Sequence, residues 1–424
     1  MSLSAWISVG IFIVAFILII FEIFDKTIVV LLASSVLIIL HIVPQKVAFS
    51  HIDQGVILFL VPMMMLMQVL QESGFFTYLG INVLKLSGGS PRKLMAYLII
   101  STAFISAFID NVTTVLVMTP LIIFTTKELG INPKPYLIAS ILSSNIGGTA
   151  TLIGDPPNIM IGSASGLGFV DFIKNLAIPV LFMVVFLIIF YNMFELKDVR
   201  VSPLKMARVK TLNPAASIRD KSLMIRGLIG FGLALVGFCI HQYFRLEPAT
   251  VALFASSFTL ILTHKKVNLK KIYEGVEWGT ILFFIGIFML TGSLVETGVI
   301  KKIAIGIKNL SKGNIFLEAS GILFIGGILS GIVDNIPLTA VFISIIKSMG
   351  GDVDLLWWAL ALGACLGGNA TAVGASANVV VISLAQRSGI DLKFSEFTKK
   401  GIFVTLFNLV LAFIYLFIKY KVFK

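Results

Sequence analysis

The stretch that interrupts the apolar segment 135–166 reads Asn145-Ile146-Gly147-Gly148-Thr149-Ala150-Thr151-Leu152-Ile153-Gly154-Asp155-Pro156-Pro157-Asn158. Its three glycines and two prolines are incompatible with a regular helix. Irregular backbone at membrane depth is tolerated only where it is buried in protein or lines a cavity. There it offers free carbonyl groups to a cation and free N–H groups to an anion. We therefore predict a broken helix that belongs to a binding site; the alternative is a glycine-lined packing face with a proline kink.

The composition of the whole chain indicates a polytopic α-helical membrane protein. Of its 424 residues, 58% are apolar and 13% are charged, whereas soluble domains have about 45–50% apolar and about 25% charged residues. This excludes a disordered protein, a disulfide scaffold and a soluble enzyme of ordinary composition. The apolar stretches are continuous, which disfavours a β-barrel. Since about 20 apolar residues span a bilayer, the length allows roughly ten spans.

The basic residues that give the formal net charge of +12 lie between apolar segments. That arrangement indicates positively charged cytoplasmic loops, and we expect no nucleic-acid partner. Two cysteines, Cys239 and Cys365, provide neither a disulfide framework nor a tetrahedral metal site. We expect no metal and no cofactor. The first apolar run lacks a basic start, so we interpret it as a retained span and not as a cleaved signal.

Short motifs recur in the same order in the two halves of the chain. Asp110-Asn111 returns as Asp334-Asn335, a shift of 224 positions, and Ala33-Ser34-Ser35 returns as Ala255-Ser256-Ser257, a shift of 222. The pentapeptide 147–151 returns as Gly-Gly-Asn-Ala-Thr at 367–371, a shift of 220. Several matches at a nearly constant shift indicate an internal duplication. We predict a first repeat over 1–198, a basic cytoplasmic linker over 199–221 and a second repeat over 222–424.

The number of spans in each half predicts how the repeats are related. We interpret 94–126 and 314–348 as re-entrant hairpins, and 135–166 and 355–386 as broken helices. Each half then has five spans, so the second repeat is inverted and both termini lie outside the cell. The predicted fold class is an all-α polytopic membrane protein with two inverted-topology repeats. That architecture is typical of secondary transporters, whose substrate site lies near the bilayer midplane.

The predicted hairpins place an Asp-Asn pair at each tip, within the membrane. Burial of an ionisable residue there is costly, which favours a functional role. Alternatively, both residues only cap a helix, or the two arms are full spans joined by a surface turn. The candidate ion- or substrate-binding residues are the polar side chains and glycines of the tips and breaks: Asp110, Asn111, Thr113, Asn145, Gly147, Gly148, Thr149, Thr151, Asp155, Asn158, Asp334, Asn335, Gly367, Gly368, Asn369, Thr371 and Asn378.

The motifs at 110–114 and 147–158, with their copies in the second half, resemble the ion transporter superfamily. Its members include the ArsB arsenite permeases, the NhaD sodium–proton antiporters, the melanosomal P protein, and the sodium-coupled dicarboxylate and citrate carriers. The resemblance covers essentially the whole chain. It implies an elevator-type carrier, often a homodimer, in which the two tips and the two broken helices converge on the site. It implies a transporter of the prokaryotic inner membrane and not an enzyme, and no histidine lies near either motif to serve as a base.

One difference from the dicarboxylate carriers of that superfamily narrows the range of expected substrates. Dicarboxylate carriers of the superfamily place Ser-Asn-Thr at the tips, whereas both tips here carry Asp in the place of Ser. A fixed anion opposes a dianion, and burial favours the protonated form of a carboxyl group. Asp110 and Asp334 are therefore predicted to couple protons. We expect proton-coupled efflux of arsenite or antimonite, with sodium–proton antiport as the alternative and a citrate-type carrier or a channel less favoured. Membrane lipid is an expected partner, and a soluble ATPase could dock on the basic linker.

Overall fold

The structure is a computed structural model that describes residues 2–21, 23–197, 199, 201–211, 213–351 and 353–422. Arg200 and Leu212 of the predicted linker lie outside the described residues. Helices joined by short turns make up the described part of the chain, and it contains no strand. Seven of these helices are long and apolar enough to cross a bilayer. The predicted all-α polytopic class is thereby confirmed.

The seven long helices are α1 (Leu3–Ile20), α4 (Gln54–Ser73), α7 (Asn111–Leu129), α10 (Phe169–Phe190), α12 (Lys221–Ile240), α15 (Trp278–Glu296) and α21 (Phe394–Val422). A π turn, Tyr191–Glu195, extends α10. Exposed isoleucine, leucine and phenylalanine side chains cover the outward faces of these helices. In a soluble protein such surfaces would be buried, whereas lipid accepts them.

The remaining helices are shorter: α2 (Lys26–Ile39), α3 (Gln45–Ser50), α5 (Phe75–Ser87), α6 (Pro91–Ser106), α8 (Lys134–Gly148), α9 (Pro156–Ser165), α11 (Pro203–Lys210), α13 (Pro248–Thr263), α14 (Leu269–Glu274), α16 (Val299–Ser311), α17 (Ile315–Ser330), α18 (Asn335–Met349), α19 (Asp354–Gly367) and α20 (Ser376–Arg387). A 3-10 turn, Pro214–Ser217, precedes α12. Several of these shorter helices begin at an Asp or Asn whose side chain accepts a backbone N–H, which satisfies an otherwise unpaired donor.

Helices α6 and α7 form a hairpin whose tip, residues 107–110, is enclosed by protein. Its outer ends lie together, since Gly89 contacts Met206 of α11 and Gly130 contacts Lys205. We call the side of the molecule on which residues 203–211 and 213–217 lie the linker face. Asn111, the first residue of α7, is only 4% exposed, and Phe108 and Asp110 at the tip are half-buried.

Helices α17 and α18 form the corresponding hairpin of the second half, with its tip at residues 331–334. Helix α14 packs against Val69 and Leu223 on the linker face, so α15, which follows it, ends on the opposite face. Helix α16 follows α15 and packs against both α17 and α18. The outer ends of the second hairpin therefore lie on the face opposite to the linker.

Each half also contains a pair of short helices separated by irregular backbone. Residues 149–155 separate α8 from α9, and residues 368–375 separate α19 from α20. Helix α8 packs tightly on α6, because a Cβ atom at Gly147 would lie 2.1 Å from the carbonyl oxygen of Ala103. Likewise, a Cβ atom at Gly367 would lie 2.3 Å from the carbonyl oxygen of Gly327 in α17. Glycine at these positions lets a broken helix approach the backbone of its own hairpin.

Candidate functional site

The two hairpin tips and the two helix breaks meet at one small cavity of about 40 Å³. This volume has room for about one water molecule or a small ion, since water occupies about 30 Å³ in the liquid. Polar groups from both halves line the cavity, together with apolar atoms of Leu60 and Met64: Asp110, Asn111, Asp155, Glu277, Thr280, Asn335 and Ser376. Four of these, Asp110, Asn111, Asp155 and Asn335, are among the residues that the sequence predicts.

A network of buried asparagines joins the halves behind the cavity. The side-chain amide of Asn145 donates to Oδ1 of Asn369 at 2.8 Å and to Oδ1 of Asn378 at 3.0 Å. Oδ1 of Asn145 accepts a hydrogen bond from Asn111 at 3.2 Å. Neutral amides in a dry interior hold their partners firmly, because an unpaired amide there is costly. The network fixes the position of the first tip relative to both breaks.

Buried amides also occupy the carbonyl groups of the irregular stretches. Asn158 donates to the carbonyl oxygens of Gly148, Thr149 and Thr151 at 3.3, 3.1 and 2.8 Å. Asn378 donates to the carbonyls of Gly368 at 2.7 Å and Thr371 at 2.9 Å. Five carbonyl groups at the two breaks are thus engaged within the protein. The polar groups that line the cavity are three carboxyl groups, two amides and two hydroxyl groups.

The remaining predicted residues connect the breaks to the tips. The hydroxyl of Thr151 donates to the carbonyl of Ala107, and that of Thr371 donates to the carbonyl of Gly331. Thr149 bonds the carbonyl of Asn145 at 2.8 Å. Thr113 bonds the carboxyl group of Asp110 through both its backbone N–H and its side chain. The other predicted residues act through close packing of the backbone: Gly147, Gly148, Gly367 and Gly368. The structure does not place these side chains on the cavity wall.

Asp110 and Asp155 are the two predicted acids that line the cavity. Asp110 caps α7 and accepts the backbone N–H of Thr113 at 2.9 Å. Asp155 precedes α9 and is 1% exposed, and Nδ2 of Asn335 lies 3.4 Å from each of its carboxylate oxygens. This contact joins the break of the first half to the tip of the second.

Sequence reasoning missed Lys26, Glu277 and Ser376. Nζ of Lys26 lies 2.6 Å from Oδ2 of Asp334 and 2.7 Å from Oγ of Ser376. Glu277 precedes α15, receives a hydrogen bond from Thr280 at 3.1 Å, and lies within electrostatic reach of Asp110 and Lys26. A usable signal did exist for Glu277, because the 224-residue shift pairs it with another acid, Asp53.

The charge balance of the site is strongly acidic. Asp110, Asp155 and Glu277 line the cavity, and Asp334 is bonded to Ser376 in its wall at 2.8 Å. Lys26 is the single cation that contacts this group within the described residues. Like charges this close in a low-dielectric interior repel strongly unless protons or cations neutralise them. The arrangement can hold protons or a small cation, and it opposes a multiply charged anion.

Paired buried hairpin tips and interrupted helices around a polar cavity define the class of multi-pass membrane transporters. The sequence model of the citrate transporter (CitMHS) family matches residues 16–363. The chain therefore belongs to the CitMHS citrate transporter family, and it is an integral multi-pass membrane protein.

Named relatives and one solved structure agree with this assignment. An uncharacterized transporter of Mycobacterium tuberculosis is 38% identical, with 98% of this chain and 99% of the relative covered. The P protein of Mus musculus is 30% identical, and the match covers 96% of this chain and 59% of that protein. The crystal structure of the Alcanivorax borkumensis YdaH transporter superposes with a TM-score of 0.59 at 13% identity, covering 87% of this chain and 85% of that one. At that identity the likeness concerns the fold alone.

Proposed function

We propose that the protein is a secondary carrier that exchanges protons for a small monovalent cation, sodium being the first candidate. The observation that carries the proposal is the cavity of about 40 Å³ lined by Asp110, Asp155 and Glu277. The cavity has room for a small ion, and its carboxyl groups are oxygen ligands of the kind that hard cations prefer. The family assignment supports transport but does not select the substrate.

The exchange follows from competition for the same carboxyl groups. In the protonated form these groups are neutral and are tolerated in a dry cavity. Loss of protons leaves carboxylates that a cation must neutralise, so protons and the cation bind in alternation. Because Asp110 and Glu277 interact electrostatically, their protons are lost in coupled steps that belong to the pair and not to one residue. Asn111 and Asn335 supply neutral hydrogen-bonding groups in both states.

Citrate, which gives the family its name, fits this cavity poorly in charge and in size. It would enter only with accompanying cations and after the cavity widened. Arsenite efflux, expected from the resemblance, is the second candidate. Its neutral trihydroxide would not be repelled by the acids, and the amides of Asn111 and Asn335 and the hydroxyl of Ser376 could bind its hydroxyl groups.

We further propose that the two halves are inverted repeats and that transport follows an elevator-type movement. The outer ends of the first hairpin lie on the linker face and those of the second lie on the opposite face, which supports an inverted relation. Location in the inner membrane with external termini, a homodimer and a soluble ATPase partner follow from the resemblance or the charge pattern alone. None of them is needed for the exchange.

The proposal is tested with the purified protein in liposomes that carry a pH-sensitive dye and an acid interior. Adding sodium chloride outside should release protons from the lumen, whereas choline chloride should not. Proton release that depends on arsenite and not on sodium would support the second candidate. Proton movement that requires citrate, with no response to sodium alone, would overturn the proposal.

A further inference from the structure

The two hairpin tips carry the same Asp-Asn pair but differ in their partners. Asp334 is ion-paired with Lys26 at 2.6 Å and also accepts from Ser376 at 2.8 Å and from the backbone N–H of Ile336 at 3.2 Å. Asp110 caps its helix, and within the described residues it has no ion-pair partner. The second tip is thus neutralised by the protein, whereas the first is not.

Lys26 is held in place by contacts from several elements. Its ammonium group bonds Asp334 of the second tip and Ser376 of the second break, and it lies 5.0 Å from the centre of the Phe283 ring on α15. An ammonium over an aromatic face is stabilised electrostatically. These contacts hold the charge beside the cavity, although 31% of the Lys26 side chain is exposed.

The internal duplication provides no equivalent of Lys26 for the first tip. The shift of 222 that relates Ala33 to Ala255 places Pro248 at the position of Lys26. The two tips therefore differ in the sequence itself, because the first has no lysine at the equivalent position. The difference does not depend on the orientation of one side chain.

We propose that Lys26 is a resident cation that permanently occupies the second tip, so that the exchanged proton and cation use the three carboxyl groups that line the cavity, those of Asp110, Asp155 and Glu277. This inference rests on the proposed cation–proton exchange and defines where it occurs. It follows that Asp334 matters because it balances Lys26. Removal of its charge alone would leave an ammonium group beside the cavity that repels the substrate cation.

The test compares sodium-dependent proton release for Asp334→Asn, Lys26→Met, the double variant Lys26→Met/Asp334→Asn, and Asp110→Asn with and without Lys26→Met. Asp334→Asn should lower exchange by at least about tenfold, because an uncompensated charge near the site is costly. The double variant should recover most of that loss. Lys26→Met should not restore Asp110→Asn. The matched control is Lys46→Met, which removes an exposed lysine on α3 and should leave exchange unchanged.

The outcomes separate the two proposals. If the wild-type protein shows no sodium-dependent proton release, the proposed function fails and this inference fails with it. If the wild type is active and the folded double variant is no better than Asp334→Asn, only the inference is overturned. The inference would also be overturned if Lys26→Met restored exchange equally in Asp334→Asn and in Asp110→Asn.

If Asp334→Asn does not fold, Lys26→Met alone still tests whether Lys26 has a resident role. It leaves a carboxyl group that a proton can neutralise, so substantial exchange should remain. Complete loss of exchange in folded Lys26→Met, as in Asp110→Asn, would show that Lys26 takes part in the exchange itself and would contradict a resident role.

Discussion

Asn145 of the first half donates a hydrogen bond to Asn369 of the second half, with 2.8 Å between Nδ2 and Oδ1. Both side chains are fully buried, and Asn369 also donates to the carbonyl of Leu142 at 3.2 Å. The contact binds the two broken helices to each other. The geometry of the site therefore depends on both halves and not on either one alone.

Replacement of Asn145 by alanine should destabilise the protein, because it leaves the partner groups of Asn111, Asn369 and Asn378 without their hydrogen bonds. The expected loss is about 1–3 kcal/mol, the cost of unsatisfied buried polar groups. Thermal unfolding of the detergent-solubilised protein measures it. The control is Asn82→Ala, which removes a single bond to the carbonyl of Tyr78 on the half-buried helix α5. A smaller effect for Asn145→Ala than for Asn82→Ala would contradict the role of the network.

The sequence predicted the residues that interrupt apolar segments and missed those that begin them. Asp110 and Asp334 were recognisable because they recur, and the glycines and prolines of 145–158 exclude a regular helix. Lys26 and Glu277 stand at the start of apolar segments, where charged residues usually face the headgroups. Helix α2 has only 14 residues, about 21 Å, which is too short to cross the bilayer. Its first residue reaches the site through tertiary packing, which hydropathy cannot show.

Asp110→Asn should abolish proton-coupled exchange and leave the fold intact. The amide keeps the shape of the side chain and its capping oxygen, but it cannot bind or release a proton. We expect a loss of at least about a hundredfold, as for removal of an essential proton-transfer group. Proton flux and a thermal melt on the same preparation measure the two effects. Wild-type flux from folded Asp110→Asn would exclude a role for this carboxyl group in coupling.

Gly148→Ala should impair transport, because a Cβ atom at this position would lie 2.5 Å from Oδ1 of Asn111 and 2.7 Å from the carbonyl oxygen of Gly154. The methyl group would push the first tip away from the break. Gly321→Ala is the matched control, since nothing lies within 4 Å of its added Cβ atom. Transport should fall for the first variant and persist for the second. Equal activity of the two would mean that the close approach at Gly148 is unnecessary.

The surface ion pair of Asp220 and Lys266 should not contribute to the pH dependence of transport. The hydrogen bond from Lys266, with Nζ–Oδ2 2.7 Å, holds the pKa of Asp220 below its ordinary value. A lowered pKa stabilises the folded state above the ordinary value of about 4 and loses that effect only as the pH falls through the lower folded value. Asp220→Asn should therefore leave the profile of proton flux unchanged between about pH 5 and 8. A shifted pH profile of proton flux would mean that this ion pair does contribute to the pH dependence of transport.

Uptake of radioactive sodium into acid-loaded proteoliposomes measures whether one acidic cavity binds protons and a cation in competition. Three preparations are compared: wild type, Asp110→Asn and Glu277→Gln. We expect the wild type to take up sodium and a protonophore to abolish that uptake. Both variants should take up much less sodium at equal amounts of folded protein. Competitive binding would be contradicted if the outward proton gradient drove no sodium uptake by the wild type. It would also be contradicted if both variants took up sodium as fast as the wild type.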